Sequence, residues 1–208
     1  MMKIMLAVLL AIMVMNMASL GQAIPDDQSP AAVEKWFRQF PYAVPKLTKL
    51  HFYLHNIVSE SPPDSVPIAQ AASTANSPTK FGLVTILDGP LANRPFSKNV
   101  IGYGQGLFTL SSQEESSTLI TVNFVFTAGK YKGSTLSVLG RNVVFAPIRE
   151  FPIIGGTGDF RLARGVGTCT TNYLNSTSGD DILDVNFVFY RYVLPGQEES
   201  DSENYEEE

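Results

Sequence analysis

The chain has 208 residues, 44% of them hydrophobic and 17% charged, which is enough apolar material for one domain with a buried core. Its 15 basic residues against 20 acidic ones exclude a basic nucleic-acid-binding protein, and the low charged fraction excludes a largely disordered acidic one. A single Cys and two His exclude a disulfide scaffold and zinc modules built from Cys and His ligands.

Residues 1–23 are predicted to form a secretory signal peptide. Lys3 gives the start a positive charge, Ile4–Val14 is an unbroken apolar run, and the small residues before and at Ala23 are typical of a cleavage site. A membrane anchor is the alternative, but the apolar run is shorter than the about 20 residues that span a bilayer. We therefore expect a secreted chain, cleaved near Ala23, with no membrane span.

The body of the chain is predicted to consist of short strands. Residues 24–47 form a polar, Pro-rich N-terminal extension with a short predicted helix, Ala31 to Phe40, and Glu60–Thr79 is predicted to be a loop. Alternating apolar residues between turn signals predict strands at Leu50–Val58, Phe81–Leu87, Val100–Leu110, Thr118–Thr127, Ser134–Leu139, Arg149–Ile154, Phe160–Tyr173 and Ile182–Val193.

About eight short strands without a long helix indicate an all-β sandwich or barrel. Gly102, Gly104 and Gly106 occupy alternate positions of one strand, so one face of that strand is reduced to backbone. A tightly curved sheet needs positions that bend without side-chain clashes. We therefore predict a single domain, residues 48–194, folded as a closed antiparallel β-barrel.

Beyond the domain, residues 195–208 are predicted to be a disordered acidic tail. Residues 197–208 hold seven acids and no base, and such a run repels itself and buries no surface. We expect this tail to be dispensable for folding.

Asn175 begins the sequence Asn-Ser-Thr, which is the acceptor motif for N-glycosylation. Ser178-Gly179-Asp180 follows it, a composition typical of an exposed turn. In a secreted chain we expect Asn175 to be glycosylated; the alternative is an unused motif.

Cys169 has no possible partner and is predicted to be a buried small hydrophobic residue on a strand.

Several motifs suggest chemistry, but each has a plainer interpretation. Gly155–Gly158 is similar to a phosphate-binding loop, yet the residues after it alternate like a strand, so a tight turn between strands is favoured. His51 and His55 have zinc spacing only on a helix, and no third ligand is visible, so no metal site is predicted. Asp88 falls in a predicted turn, Asp88-Gly89-Pro90, where its side chain would bond local backbone.

Arg149 stands in a mostly apolar neighbourhood, next to Glu150. An Arg that points into a barrel would polarise a ligand oxygen or stabilise an anion. The plainer alternative, a surface Arg paired with Glu150 or a turn carbonyl, is favoured by the pattern alone. The residues themselves therefore predict a secreted β-barrel without identifying a ligand.

Further motifs follow one another in a fixed order between about residues 48 and 193. They are Leu50-His51-Phe52-Tyr53-Leu54-His55-Asn56-Ile57, Phe81-Gly82, Leu87-Asp88-Gly89-Pro90, Gly102-x-x-Gln105-Gly106, Asn123-Phe124-x-Phe126, Lys130-Tyr131-x-Gly133-Ser134, Leu139-Gly140-Arg141-Asn142, Arg149-Glu150, Gly155-Gly156-Thr157-Gly158-Asp159-Phe160 and Ala163-Arg164-Gly165. In this order and spacing the chain resembles the plant dirigent protein family. The resemblance implies an eight-stranded antiparallel β-barrel of the allene-oxide-cyclase-like type, secretion to the apoplast, glycosylation, and a homo-oligomer, dimer or trimer.

Members of that family act in two ways. Some bind phenoxy radicals, such as those of coniferyl alcohol, that a separate oxidase generates, and they fix the faces on which the radicals couple; others dehydrate isoflavanols to pterocarpans. The first activity needs a cavity that orients flat aromatic ligands, and the second needs an acid. The resemblance implies ligand-binding residues Asn56, Phe108, Asn142 and Arg149, with Arg149 contacting a phenolic or quinone-methide oxygen. It implies no catalytic residue, metal or cofactor.

This chain departs from the family pattern within the implied site. His55-Asn56 stands where His-Asp is usual, Asn142 replaces an Asp of some members, and Phe108 replaces a tyrosine of some members. Asn keeps a carbonyl acceptor but exchanges no proton at a useful pKa. We therefore expect an auxiliary protein that directs coupling of radicals made by a laccase or peroxidase, without oxidative activity of its own. The alternatives are a non-catalytic cell-wall phenolic-binding barrel and, third, an isoflavanol dehydratase.

Overall fold

The computed structural model describes residues 28–196, so the predicted signal peptide and most of the predicted acidic tail lie outside the described residues. One helix, α1 (Pro30–Gln39), precedes nine strands. The strands are β1 (Val44–Asn56), β2 (Ser65–Ala69), β3 (Val84–Ala92), β4 (Val100–Leu110), β5 (Ser117–Phe126), β6 (Thr135–Val143), β7 (Arg149–Thr157), β8 (Arg164–Leu174) and β9 (Asp181–Val193). Single-turn 3₁₀ helices lie at Phe40–Tyr42, Thr74–Asn76 and Gly158–Phe160.

The strands form one antiparallel sheet in the order β1-β9-β8-β7-β6-β5-β4-β3-β2. Strand β1 also pairs with β3, where Tyr53 lies opposite Ala92 and Leu54 opposite Leu91, so the sheet closes on itself. The predicted eight-stranded antiparallel β-barrel is therefore confirmed. Strand β2 is an extra strand that pairs with β3 outside the closure.

Strand β2 was not predicted, because it is short and lies in the Pro-rich segment 60–79. Pro67 removes one backbone donor, which a strand tolerates only at an edge or an irregularity, and the β2–β3 register shifts between Pro67 and Ala69. Strand β1 also begins earlier than predicted, at Val44, and pairs with β9 along its whole length.

The predicted turn Asp88-Gly89-Pro90 is wrong, because β3 continues through it to Ala92. Strand β2 pairs with β3 at residues 84–87, and β1 pairs with it at 91 and 92. Pro90 therefore lies where β3 has a strand neighbour only on the β4 side, and there its missing N–H breaks no strand pairing. The Asp88 side chain accepts a hydrogen bond of 3.0 Å from Gln105 Nε2 on β4 instead of bonding a turn.

The predicted strand from Phe160 is also wrong at its start, since β8 begins only at Arg164. Gly158 and Leu162 have φ angles of +62° and +59°, which interrupt the extended backbone and form a turn after β7. Phe160 is turned inward by this segment and is fully buried against Phe126 and Tyr131. It closes the barrel at the end where β7 finishes.

Aromatic side chains at alternate strand positions fill the middle of the barrel. Phe52 packs with ring-centroid distances of 5.4 Å to Phe124 and 5.2 Å to Phe187. Cys169 is buried beside them, as predicted. Gly104 also faces inward, and a Cβ there would lie 2.8 Å from Leu54 Cδ1, so the face that the glycines leave bare is occupied by a leucine from β1.

Helix α1 attaches the N-terminal extension to the barrel, and its bounds confirm the predicted helix to within a residue. The Ser29 hydroxyl caps it by accepting from Ala32 N at 3.2 Å. Trp36 is buried and stacks on Phe40, whose ring lies 4.9 Å from that of Tyr192 on β9. Within residues 28–196 no helix has the length and hydrophobicity that crossing a membrane requires.

Gly167 on β8 tests how tightly the barrel interior is packed. A Cβ at this position would lie 2.6 Å from Phe151 Cε2 and 2.7 Å from Phe187 Cε1. We expect Gly167→Ala to lower the free energy of unfolding by about 1–3 kcal/mol through overpacking, measured by chemical denaturation. Gly155→Ala on β7 is the matched control, because its Cβ would meet only the end of the Arg164 side chain at 3.3 Å. Equal losses in both variants would contradict this account.

Candidate functional site

The four residues implied by the resemblance lie at one end of the barrel, which we call the site end. Neighbouring strands run in opposite directions, so β1, β4 and β6 finish where β7 and β9 begin. Asn56 ends β1, Phe108 and Asn142 lie near the ends of β4 and β6, and Arg149 begins β7. Each occupies the strand face that also carries buried core residues, so all four face the interior.

Arg149 is the cation of the site end and is only 5% exposed. Its Nη2 donates to Thr171 Oγ1 at 2.9 Å and its Nη1 to the Val144 carbonyl at 3.3 Å. Arg149 is therefore not a surface residue paired with Glu150, which is exposed on the opposite face of β7, but it does bond a turn carbonyl, that of Val144. The Nε donor of Arg149 has no hydrogen-bond partner among the described residues. A buried guanidinium with a free donor is suited to hold a ligand oxygen.

Asn142 contributes a second polar group that lacks a partner. Its Nδ2 donates to Thr118 Oγ1 on β5 at 3.2 Å, whereas its buried Oδ1 accepts nothing from the described residues. Buried polar atoms are nearly always hydrogen-bonded in folded proteins. Arg149 Nε and Asn142 Oδ1 are therefore a donor and an acceptor available to a ligand at the site end.

Asn56 is held from two sides. Its Nδ2 donates to Asp181 Oδ1 at 2.7 Å, and its Oδ1 accepts from Ser65 Oγ at 2.6 Å. Ser65 is buried and belongs to β2, so the extra strand orients this side chain. Asn56 and Asp181 lie directly opposite each other in the β1–β9 ladder.

Asp181 was missed at the level of sequence. It follows a segment with the composition of a turn. Yet it lies at every second position together with Leu183, Val185 and Phe187, and so shares the inward face of β9 with them. That alternation is the signal that places it inside. Burial raises the pKa of the Asp181 carboxyl, while the hydrogen bond from Asn56 and the charge of Arg149 oppose the rise.

Phe108 forms part of an apolar wall at the site end. It is partly buried against the core and lies opposite Ile120 on β5 and Thr85 on β3. Ile120 and Leu183 are likewise partly buried against the core. Apolar side chains of this kind are the usual lining of sites that bind small molecules.

The two histidines lie outside this arrangement, on the outward face of β1. His51 Nε2 lies 3.1 Å from Asp184 Oδ1, and burial lowers the pKa of His55, which is close to Asp64. A surface groove lined by Gln28, Val33, Gly156, Thr157, Gly158 and Arg161 lies at the opposite end of the barrel.

Together these observations describe a closed β-barrel protein whose site end has buried polar atoms without partners and partly buried apolar side chains. The family described as "Dirigent-like protein" matches residues 47–190 of the chain. The chain belongs to this family. The barrel begins slightly before the matched region, at Val44.

Relatives in the family carry two kinds of name. Dirigent protein 21 of Arabidopsis thaliana is 44% identical over 142 residues, which are 68% of this chain and 75% of the relative. Pterocarpan synthase 1 of Glycyrrhiza echinata is 38% identical over 149 residues, 71% of this chain and 79% of the relative. The solved structure of a pterocarpan synthase dirigent protein has a TM-score of 0.66 at 38% identity, over 71% of this chain and 86% of that one.

Asp180 stabilises the turn between β8 and β9, which borders the site end. Its carboxylate accepts from Ser59 Oγ and Ser178 Oγ, each at 2.7 Å, and from the backbone N–H groups of Val58 and Ser59. These hydrogen bonds lower the pKa of Asp180 to about 2. The segment after β1 is thereby tied to the start of β9, next to the Asn56–Asp181 pair.

We expect Asp180→Asn to lower the melting temperature at neutral pH. Because the pKa of the folded carboxyl is depressed, its stabilising effect is complete above the unfolded value of about 4. The effect is lost as the pH falls from there through the folded value of about 2. Thermal unfolding followed from pH 7 to pH 2 should show parent and variant converging below pH 4. A constant difference over that range would contradict the assignment.

Proposed function

We propose that this protein directs the regio- and stereoselective coupling of phenoxy radicals, such as those of coniferyl alcohol, without oxidising them itself. A separate oxidase, a laccase or peroxidase, supplies the radicals. Membership of the dirigent-like family supports the proposal, since that family acts on phenolic radicals. The observation that carries it is the buried Arg149, whose Nε donor has no partner among the described residues, at the barrel end where Phe108 and Ile120 are partly buried against the core.

The site would act by orientation. Two phenoxy radicals combine with little barrier, each giving one electron to the new C–C bond, so selectivity depends on which faces meet. Arg149 donates to the phenolic oxygen, and Phe108 and Ile120 hold the ring plane. Asn142 Oδ1 accepts from a second polar group of the ligand, which fixes its direction. The coupled product is a quinone methide that remains bound beside the same groups.

A second candidate, dehydration of an isoflavanol, is favoured by one observation. Pterocarpan synthases are among the relatives, and the site end contains the carboxyl of Asp181, which could protonate a leaving hydroxyl. Residue types alone count against dehydration, because Asn56 is not an acid. A third candidate is a cell-wall barrel that binds phenols without directing their coupling.

The decisive variant is Arg149→Leu. The secreted protein is incubated with coniferyl alcohol and a laccase, and the products are resolved on a chiral column. We expect an enantiomeric excess with the parent and racemic product with Arg149→Leu. Arg141→Leu is the matched control, because Arg141 is exposed on the outward face of β6 and pairs with Glu115.

Circular dichroism and gel filtration show whether each variant keeps the barrel. An unchanged enantiomeric ratio in a folded Arg149→Leu variant would overturn the site assignment. Racemic product from the parent with every monolignol would favour the phenolic-binding alternative. Formation of a pterocarpan from an isoflavanol without any oxidase would favour dehydration.

Secretion to the apoplast and glycosylation at Asn175 are part of the same proposal. Asn175 lies in the turn between β8 and β9, where its Oδ1 accepts from Thr177 N at 3.0 Å and Ser178 N at 3.3 Å. Ser176 and Thr177 are exposed, so the motif is open to modification.

Glycosidase treatment of the plant-expressed protein should lower its apparent mass, and Asn175→Gln should abolish the shift. An N-terminus intact at Met1 in extracellular protein would contradict the signal peptide.

We also propose a homo-oligomer, dimer or trimer, that covers the outward face of β7, β8 and β9. Exposed apolar side chains lie together on these neighbouring strands: Ile154, Val166, Val188 and Tyr190. Val166 and Val188 are direct partners in the ladder, which makes the apolar surface continuous. A contiguous exposed apolar surface of this kind is typical of a protein–protein contact.

A further inference from the structure

Four carboxylates lie on the barrel strands within the described residues, and they do not face the same way. Asp88, Glu150 and Asp184 occupy outward positions of β3, β7 and β9. Asp181 alone occupies an inward position, at the site end. It is therefore the carboxyl that a ligand inside this part of the barrel would meet.

The immediate surroundings of Asp181 leave one of its oxygens available. Asn56 Nδ2 donates to Oδ1 at 2.7 Å, and this is the only hydrogen bond that the carboxylate makes with the described residues. Opposite it on β8 lies Leu174, which is apolar. The charged groups that act on it are Arg149, which attracts its negative charge, and the preceding Asp180, which repels it.

We propose that Asp181 is the proton-transfer residue of the barrel site, a catalytic residue for the ring closure that follows radical coupling. This inference rests on the proposed function and names a step within it. Asn56 is the corresponding positioning residue, because its amide holds Oδ1 and turns Oδ2 toward the ligand. Ser65 fixes the orientation of that amide by donating to its carbonyl.

The chemical step is an isomerisation of the coupled quinone methide. A side-chain hydroxyl oxygen attacks the methide carbon and forms a C–O bond, while the electron pair of the exocyclic double bond moves through the ring to the carbonyl oxygen. Asp181 Oδ2 takes the hydroxyl proton, and Arg149 donates to the developing phenolate. The proton then passes from Asp181 to the phenolate, so the step needs no oxidant, reductant or co-reactant.

The environment suits a carboxylate that acts as a base. Burial raises the pKa of Asp181, and a more basic carboxylate removes a hydroxyl proton more readily. The neutral Asn56 beside it adds no second negative charge to the pair. A general base of this kind typically contributes about 10²–10⁴-fold to its step.

The test separates ring closure from coupling. Parent and Asp181→Asn are incubated with coniferyl alcohol and laccase, and two quantities are measured: the enantiomeric excess, and the ratio of cyclised product to open-chain water adduct. We expect Asp181→Asn to keep the enantiomeric excess and to lower the ratio by at least about tenfold. Asp184→Asn is the matched control, since it removes an outward carboxylate of the same strand.

The double variant Asn56→Asp, Asp181→Asn moves the carboxyl across the ladder and tests rescue. We expect it to restore the ratio. In the parent the ratio should fall as the pH drops through the pKa of Asp181, and in Asp181→Asn it should not change with pH. A residue with a merely structural role would leave this pH profile unaltered. The inference is overturned if Asp181→Asn and the parent have the same ratio and the same pH profile.

The proposed function itself fails if the parent gives racemic product with every monolignol. A separate binding measurement then tests the role of Asp181. Coniferyl alcohol is then titrated into parent and Asp181→Asn without oxidase. If Asp181 Oδ2 accepts from the ligand hydroxyl, affinity for the parent rises with pH through the pKa of Asp181, and the variant shows no such rise. Identical pH dependence in both proteins would overturn the contact between Asp181 and the ligand.

Discussion

The contact that closes the sheet consists of two residue pairs, Tyr53 with Ala92 and Leu54 with Leu91, and the interior of the molecule depends on it. Because strand side chains alternate between faces, closure commits every second residue of eight strands to one enclosed space. Antiparallel order then brings the last inward residues of β1, β4, β6 and β8 to the same end as the first ones of β3, β5, β7 and β9. Residues far apart in sequence, such as Asn56 and Arg149, thereby face one chamber without any loop having to carry them there.

The two ends of that interior differ because their side chains differ. Toward the end where β7 finishes, Phe160 and the aromatic cluster around Phe52 fill the space, and Gly167 makes room for Phe151 and Phe187. At the site end the inward residues are polar or of mixed size, so hydrogen-bonding groups remain without partners. A densely packed half supports a rigid frame, and a rigid frame lets a buried cation such as Arg149 hold a fixed direction.

The barrel could be predicted from sequence because its signals are local: strand alternation, turn residues and a strand with three alternate glycines. The errors fall where partner strands decide the outcome. Pro90 ends a strand only if its missing N–H would have pointed at a neighbouring strand, and nothing local shows that β3 has a single neighbour at this point. The direction of Arg149 was equally undetermined, since a shift of one residue would have exchanged it with Glu150. Asp181 was hidden by the turn composition before it, although counting back from Phe187 places it on the inward face.

Asn56 and Asp181 show that the chemistry of a barrel interior has to be judged from pairs of residues that lie opposite each other on neighbouring strands, and not from single residues. Directly opposed side chains in an antiparallel pair have Cβ atoms about 5 Å apart, so a carboxyl on either strand reaches nearly the same point in the chamber. Two carboxyls at such a pair would repel, and one of them would be forced to stay protonated. One carboxyl beside one amide avoids that repulsion and gains the 2.7 Å hydrogen bond between them. An Asn on β1, which in isolation indicates that proton chemistry has been lost, therefore becomes the support of an acid on β9.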